Sequence, residues 1–251
     1  MQKLIEINNF KPPWLIAHRG YRASYPENTL IAFKAALDAD VPMIELDVRL
    51  SKDRKLVVIH DATLERTTNR QGQVDNYTLK QLKKLDAGSW FNPEFAREQI
   101  PELSEVLDLT HGRALVNIEI KPHSYEAHHP TDSIEHQVIN LIHSRSIADF
   151  VLISSFDFKI LRRLSRINHS PALGLISRQP ADRNTIEKCN QIGAISWHPN
   201  HQILTHGQVK MMHAAGIRVF PYNADTADEI KRVVDMGVDG VISSDPLLAP
   251  V

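Results

Sequence analysis

The sequence predicts an α/β protein: a closed (β/α)8 TIM barrel with a small insertion after the second strand and its hairpin. Apolar runs of strand length alternate with helical stretches until eight βα units are counted, and connections of this length force parallel pairing. Acids, bases and cationic side chains fall at the ends of the first strands, where barrels of this kind place their sites.

A doubly wound open sheet is the alternative architecture for the same alternation of strands and helices. That fold would need a glycine-rich phosphate turn after the first strand, of the form GxGxxG. The chain has His18-Arg-Gly-Tyr-Arg22 at this point. With 251 residues, 42% of them hydrophobic, the chain can bury a sizeable core.

The first elements are predicted from their boundaries. Trp14–Ala17 is a short apolar strand, and a helix over 30–39 is capped by Asn28 or Thr29. The second strand is Met43–Leu50. A polar turn then returns the chain as an apolar arm over 56–60. A turn centred near Asp53 sets His60 opposite Leu46, and a register shifted by one residue is the alternative.

The stretch that follows, about 61–100, is polar and irregular and has no clean period. Long irregular stretches inside compact domains are commonly functional excursions, so we interpret it as a small insertion or cap over one end of the fold. A plain surface loop fits its composition about equally well. The predicted organisation is a single barrel domain over 1–251 that carries this insertion.

From Leu103 the alternation is regular. The predicted helices are 104–110, 133–144, 157–167, 183–192, 205–215 and 226–236. The predicted strands between and after them are 114–121, 150–155, 172–177, 194–197, 218–223 and 240–244. Glycines stand at or near several of these ends, where helix exits and tight turns favour them.

Carboxylates end two of the predicted strands. Side chains at positions i and i+2 share one face of a strand, so Glu45 and Asp47 point the same way, as do Glu119 and Lys121. Buried charge is costly unless it is paired or binds a metal. Three carboxylates favour one divalent cation, Mg²⁺ or Ca²⁺, over zinc. A buried ion-pair network with Arg19 or Lys121 is the alternative.

Two histidines flank this acidic set, and they are the nearby groups that exchange protons near neutral pH. His18 ends the first strand, and His60 returns through the hairpin. Phosphodiester cleavage needs a general base and a general acid, which predicts catalysis by this pair. Arg19 and Lys121 are predicted to hold phosphate oxygens. Among the later strand ends, Trp197 and Asn223 are candidates for the substrate pocket.

Composition excludes several classes of function. The formal net charge is −1, which gives no long-range attraction to nucleic acid or to acidic membranes. No secretory signal is visible in Met1–Pro13 and no stretch reaches the length of a membrane span. The single cysteine, Cys189, excludes an internal disulfide and fits a reducing compartment. A cytoplasmic protein with a small-molecule substrate and no stable membrane association is expected.

An ordered series of short motifs resembles the glycerophosphodiester phosphodiesterase family, of the cytoplasmic bacterial type, over nearly the whole chain. The motifs are His18-Arg-Gly20, Pro26-Glu-Asn-Thr29, Glu45-Leu-Asp47, His60-Asp61, Leu64-Glu-Arg-Thr-Thr-Asn69, Leu85-Asp-Ala-Gly-Ser-Trp90, Asn117-Ile-Glu-Ile-Lys121, Gly237-Val-Asp-Gly-Val241 and Ser244-Asp-Pro246.

The resemblance implies a barrel with an insertion after His60, a divalent metal at the three carboxylates, catalysis by the two histidines, and phosphate binding by Arg19 and Lys121. It implies hydrolysis of glycerophosphodiesters, such as glycerophosphocholine and glycerophosphoethanolamine, to glycerol 3-phosphate and an alcohol. The chain departs from the family at Phe220-Pro-Tyr-Asn223 and at Ser244. Both departures fall on late strand ends, which bears on specificity more than on chemistry.

Two other functions fit parts of the pattern. A lysophospholipase D would need an apolar channel beside the metal, which the insertion could supply. A non-catalytic phosphometabolite-binding barrel would have no need of two histidines at its site.

Overall fold

Eight parallel strands and one antiparallel strand form the sheet in the computed structural model, which describes residues 11–248. The strands are β1 (Trp14–His18), β2 (Met43–Leu50), β3 (Leu56–Val58), β4 (Leu115–Ile120), β5 (Val151–Ser155), β6 (Ala172–Ser177), β7 (Ser196–Pro199), β8 (Arg218–Val219) and β9 (Gly240–Ser243). Their order is β8-β7-β6-β5-β4-β2-β1-β9, and β3 pairs antiparallel with β2.

Backbone hydrogen bonds between β8 and β9 complete the circle. The amide of Asp239 donates to the carbonyl of Val219 at 3.1 Å, and the amide of Ile242 donates to the carbonyl of Pro221 at 2.9 Å. Beyond them, the amide of Ala224 donates to the carbonyl of Ile242 at 3.2 Å. The predicted (β/α)8 barrel is therefore confirmed, and the open-sheet alternative is wrong.

Helices cover the outside of the sheet. In chain order the helices are α1 (Leu30–Asp38), α2 (Leu79–Leu82), α3 (Leu103–Thr110), α4 (Ile134–Arg145), α5 (Phe158–Leu164), α6 (Arg183–Ile192), α7 (His206–Ala214) and α8 (Ala227–Val234), of which α2 belongs to the insertion and not to this outer layer. Thr29 caps α1, as predicted, by accepting from the amide of Ala32. Capping boxes at Asp182, Thr205 and Thr226 begin α6, α7 and α8, so each helix start has a local sequence cause.

The barrel holds two separate apolar clusters. The larger cluster packs the outer faces of the strands against the helices. The smaller one fills the barrel interior, and several of its members, such as Met43, Leu115 and Ala172, are the first residues of their strands. The interior is therefore plugged near the amino-terminal ends of the strands, and its carboxyl end remains for polar side chains.

The hairpin has the predicted register, with Val48 opposite Val58 and Leu50 opposite Leu56. Regular pairing ends at Val58, two residues before the predicted end. The amide of Ile59 still donates to the carbonyl of Asp47 at 3.0 Å. This contact carries the chain back to the end of β2 and delivers the following residue to the carboxyl rim.

The residues after the hairpin build a small substructure with its own core. Val74, Leu82 and Ala87 pack with Leu64 and with residues of the hairpin arm, all of them buried. Short 3-10 turns at Val74–Asn76 and Pro93–Phe95 flank α2 in this stretch. A plain loop has no such core, so the stretch is a folded insertion.

Two of the strands after the hairpin differ from their predicted bounds by two residues or more, both for backbone reasons. β7 begins at Ser196 because α6 ends in a left-handed Gly193, and the amide of Ala194 still bonds to the helix carbonyl of Cys189. β8 stops at Val219, two residues before Pro221, which has no amide hydrogen to continue a ladder. The prediction concerning Met1–Pro13 falls mostly outside the described residues.

Candidate active site

A cavity of about 170 Å³ opens at the carboxyl ends of the parallel strands. Of the residues predicted from sequence, those that line it are His18, Arg19, Glu45, His60, Glu119, Lys121 and Asn223. The strand ends thus bring together side chains that are separated by more than 200 positions, as a parallel barrel requires.

The three predicted carboxylates form one buried cluster. Glu45, Asp47 and Glu119 each offer an oxygen, and these oxygens lie within 4.8 Å of one another. Asp47 and Glu119 are paired across β2 and β4, which fixes their proximity through backbone register. All three residues are less than 10% exposed, so their charges are withdrawn from solvent.

Two cations contact this cluster. The Nζ atom of Lys121 donates to Asp47 at 3.0 Å and to Glu119 at 2.5 Å. The Nε atom of Arg19 lies 3.1 Å from Oδ2 of Asp47. Three carboxylates against two cations leave one buried negative charge in excess, which a pure ion-pair network would not need.

Glu45 is the carboxyl group that the two cations compensate least. Burial raises its pKa well above the usual range, and the neighbouring Asp47 and Glu119 carboxylates raise it further. Burial acts in the same direction on Asp47, but Lys121 and Arg19 outweigh it and hold the pKa of Asp47 well below its usual range. A cluster of hard oxygen donors with one under-compensated carboxylate fits a divalent cation such as Mg²⁺ or Ca²⁺.

His18 is buried at the end of β1. Its Nε2 atom lies 3.8 Å from Oε2 of Glu45, and its Nδ1 atom lies 3.1 Å from a guanidinium nitrogen of Arg22. Arginine can only donate, so Nδ1 accepts and Nε2 carries the hydrogen in the neutral ring. Burial, followed by the charges of Arg19 and Arg22, lowers the pKa of His18 well below its usual value.

His60 has the opposite kind of partner. Its Nδ1 atom lies 2.5 Å from Oδ1 of Asp61. Burial lowers the pKa of His60, while Asp47 and the hydrogen bond to Asp61 act to raise it. The two histidines therefore face the acidic cluster from different electrostatic settings, one beside a guanidinium and one beside a carboxylate.

A chain of ion pairs joins the insertion to the first barrel loop. Glu27 accepts from Arg19 at 2.8 Å and from both terminal nitrogens of Arg66 at 2.7 and 2.9 Å. Arg66 in turn donates to Asp61 at 2.6 Å. Burial alone would raise the pKa of Asp61, but Arg66 and His60 lower it to about 2. Asp61 is thus ionised and oriented toward His60.

The turn after β1 has the backbone geometry of a strained functional loop. Arg19 and Asn28 have φ values of 54° and 57°, and the Asn28 amide donates to Asp47 at 2.9 Å. Between them, Gly20 has a φ of 81°, and a Cβ there would lie 2.7 Å from the backbone of Ala32. The His18-Arg-Gly20 motif therefore reflects packing of this loop on α1 as well as chemistry.

One of the two residues predicted for the substrate pocket does not line the cavity. Trp197 is fully buried in the outer apolar cluster and does not line the cavity, whereas its neighbour His198 does. The cause is alternation along β7, since side chains one position apart point to opposite faces. Asn223, the other residue predicted for the pocket, lines the cavity.

Several site residues were not singled out from sequence. These are Arg22, Glu27, Asn28, Asp61, Arg66, Asn117, Ser154, Phe156, Arg178, His198 and Tyr222. Five of them, Glu27, Asn28, Asp61, Arg66 and Asn117, stand inside the family-like motifs and could have been found there. The others lie at strand ends or in the loops that follow them, where nothing local marks them.

The fold and the site together define a barrel phosphodiesterase, a hydrolase of phosphoric diesters. The sequence model of the glycerophosphoryl diester phosphodiesterase family matches residues 18–248. The chain belongs to this family, which confirms the resemblance.

Relatives match this chain along almost their full length. A glycerophosphodiester phosphodiesterase of Caldanaerobacter subterraneus is 40% identical, with 92% of this chain and 94% of that protein covered. One from Bacillus altitudinis is 36% identical, with the same coverage. A solved structure shows an Oleispira antarctica phosphodiesterase in complex with the product sn-glycerol-3-phosphate. Its sequence is 29% identical to this chain, and the two folds match with a TM-score of 0.86 over 93% of this chain and 94% of that chain.

Proposed function

We propose that this phosphodiesterase uses one divalent cation, Mg²⁺ or Ca²⁺, to hydrolyse glycerophosphodiesters to glycerol 3-phosphate and an alcohol. Glycerophosphocholine and glycerophosphoethanolamine are two esters of this class. The observation that carries the proposal is the buried cluster of Glu45, Asp47 and Glu119 beside His18 and His60. The Oleispira antarctica relative, which holds sn-glycerol 3-phosphate as its product, supports the same product here.

The three carboxylates would hold the cation, and Arg19 and Lys121 would bind the phosphate oxygens. When bound, the cation supplies positive charge next to the phosphate. Both side chains line the cavity and already contact Asp47, so a phosphate beside the cluster lies within their reach. The planar guanidinium of Arg19 suits two phosphate oxygens at once, whereas Lys121 contributes a point charge.

The two histidines would perform the proton transfers. One accepts the proton of the attacking oxygen, and the other gives a proton to the departing alkoxide. The Nε2 hydrogen of His18 faces Glu45 and the acidic cluster, and the Asp61 carboxylate stabilises an imidazolium at His60. Phosphoryl transfer of this kind depends mainly on positioning and electrostatic stabilisation, which a buried site with fixed charges supplies.

The insertion and the barrel would act as one domain. Asp61 and Arg66 belong to the insertion and fix His60 and Glu27, so neither part completes the site alone.

We also propose a cytoplasmic location, supported by a single buried free cysteine. None of the described helices is both long enough and apolar enough to cross a bilayer.

Metal removal is the direct test. Chelated protein should lose turnover of glycerophosphocholine and regain it with Mg²⁺ or Ca²⁺ added singly.

His18→Ala and His60→Ala should each lower kcat by about 10²- to 10⁴-fold while the circular dichroism spectrum is unchanged. Near-normal turnover in either variant, or full activity after chelation, contradicts the proposal. Preferential release of choline from lysophosphatidylcholine would instead identify a lysophospholipase D.

A further inference from the structure

Arg178 is a guanidinium at the rim of the cavity that the proposed chemistry does not use. It follows the last residue of β6 and is exposed, yet it lines the same cavity as the acidic cluster. Its guanidinium carbon lies 4.4 Å from the centre of the Phe156 ring. Among residues 11–248, no ion pair neutralises Arg178, so its full positive charge faces whatever enters the cavity.

The aromatic side chains beside Arg178 do not form a cage for a second cation. Phe156 offers one face to Arg178, and Tyr222 meets its ring edge-on, with an interplanar angle of 84°. The Tyr222 hydroxyl donates to the carbonyl of Ser177 at 3.2 Å, which fixes the ring at the rim. A quaternary ammonium binds free aromatic faces, and here the protein's own cation covers the Phe156 face.

The floor of the cavity carries unpaired polar atoms, whereas its rim carries the charge of Arg178. Oδ1 of Asn117, Oγ of Ser154 and Nδ1 of His198 are buried there without a hydrogen-bond partner among the described residues. An unpaired buried polar atom is costly, and a hydroxyl group that enters the cavity can supply the missing hydrogen bond. The floor therefore suits the glycerol hydroxyls that all substrates of the proposed reaction share, and the rim is left for the alcohol that varies.

We propose that Arg178, held on Phe156 beside Tyr222, selects substrates whose alcohol is anionic or hydroxyl-rich and disfavours alcohols that carry an ammonium group. The inference rests on the proposed function and names the substrate class within it. An anionic alcohol gains an ion pair with Arg178, a polyol gains hydrogen bonds, and choline meets an uncompensated like charge.

The test compares kcat/KM for three glycerophosphodiesters whose alcohols are choline, glycerol and glycerol phosphate. Wild-type protein should favour the glycerol phosphate ester over the choline ester, and Arg178→Gln should reduce that ratio by about fivefold, as for an exposed charge pair. Arg178→Lys should keep most of the ratio. Raising the salt concentration should weaken the preference of the wild type and not that of the glutamine variant.

Arg183→Gln is the matched control, because it removes one exposed positive charge on α6 that pairs with Glu187 and does not line the cavity. A wild-type preference for the choline ester, or an equal loss on all three esters in Arg178→Gln, overturns the assignment of Arg178 while the phosphodiesterase function stands. Absence of turnover with every ester would instead overturn the proposed function itself.

Discussion

At the scale of single residues, two side chains of the same type differ in their charged neighbours. His18 is in contact with Arg22 and His60 with Asp61, so the guanidinium disfavours a charged ring at His18 and the carboxylate favours one at His60. A third histidine, His198, is also buried at the cavity. Its Nε2 atom lies 2.9 Å from Oγ of Ser196, and burial lowers its pKa to about 3.

Replacing Asp61 by asparagine should lower kcat by about tenfold to a hundredfold, because the amide cannot stabilise a charged His60 as a carboxylate does. KM should change little, since Asp61 does not line the cavity. Steady-state kinetics on glycerophosphocholine measure both constants. Glu94→Gln is the control, being exposed in the same insertion. Equal rates for Asp61→Asn and wild type would exclude this positioning role.

His198 should make the stability of the protein depend on pH. Its pKa is about 3 in the folded chain, against 6.5 as the ordinary value. Between these values the unfolded chain binds one more proton, so the free energy of unfolding falls as pH decreases below 6.5, by up to about 1.4 kcal/mol per unit. His198→Gln should flatten this slope. Urea unfolding between pH 4.5 and 7 measures it, and parallel slopes in the two proteins would refute the prediction.

At the scale of elements, three helix starts and the limits of two strands can be traced to a local backbone cause. The boxes at Asp182, Thr205 and Thr226 satisfy amides that a helix leaves without partners. Pro221 and Gly193 set the limits of β8 and β7. Because strands alternate faces, these limits also decide which side chains reach the cavity.

Thr226→Ala should reduce the free energy of unfolding by about 1 kcal/mol. The hydroxyl of Thr226 accepts from the amide of Glu229 at 3.2 Å, and Glu229 accepts from the amide of Thr226 at 3.1 Å, so alanine breaks one half of the box. Thr226→Ser keeps the hydroxyl and serves as the control. Urea midpoints at constant m-value report the difference, and equal midpoints for alanine and serine would count against this cap.

At the scale of the whole molecule, the barrel separates stability from function along its axis. The apolar interior cluster fills the end where strands begin, and the carboxylates, histidines and rim cation gather where they finish. The insertion spans this functional end through Arg66, which joins Glu27 of the first barrel loop to Asp61. The insertion and the first barrel loop are thus joined by an ion pair in which the carboxylate of Glu27 is buried.

This coupling can be measured with a double-mutant cycle on Glu27 and Arg66. Glu27→Gln and Arg66→Gln should be non-additive in unfolding free energy by about 1 kcal/mol, because Glu27 is buried although Arg66 is partly exposed. The exposed pair Lys34 and Asp38 on α1 gives the comparison and should couple by less than half as much. Additive effects at Glu27 and Arg66 would show that this contact does not hold the insertion.

The sequence by itself determined the barrel, the hairpin register and the acidic cluster. Each of these follows from a period or a pairing rule within a few residues, as Glu45 and Asp47 share a strand face and a turn centred near Asp53 pairs Val48 with Val58. Tertiary structure alone decided that His198, and not Trp197, faces the cavity, and that Arg178 stands at its rim. These placements depend on where short strands begin and on contacts between residues far apart in the chain, which no local pattern encodes.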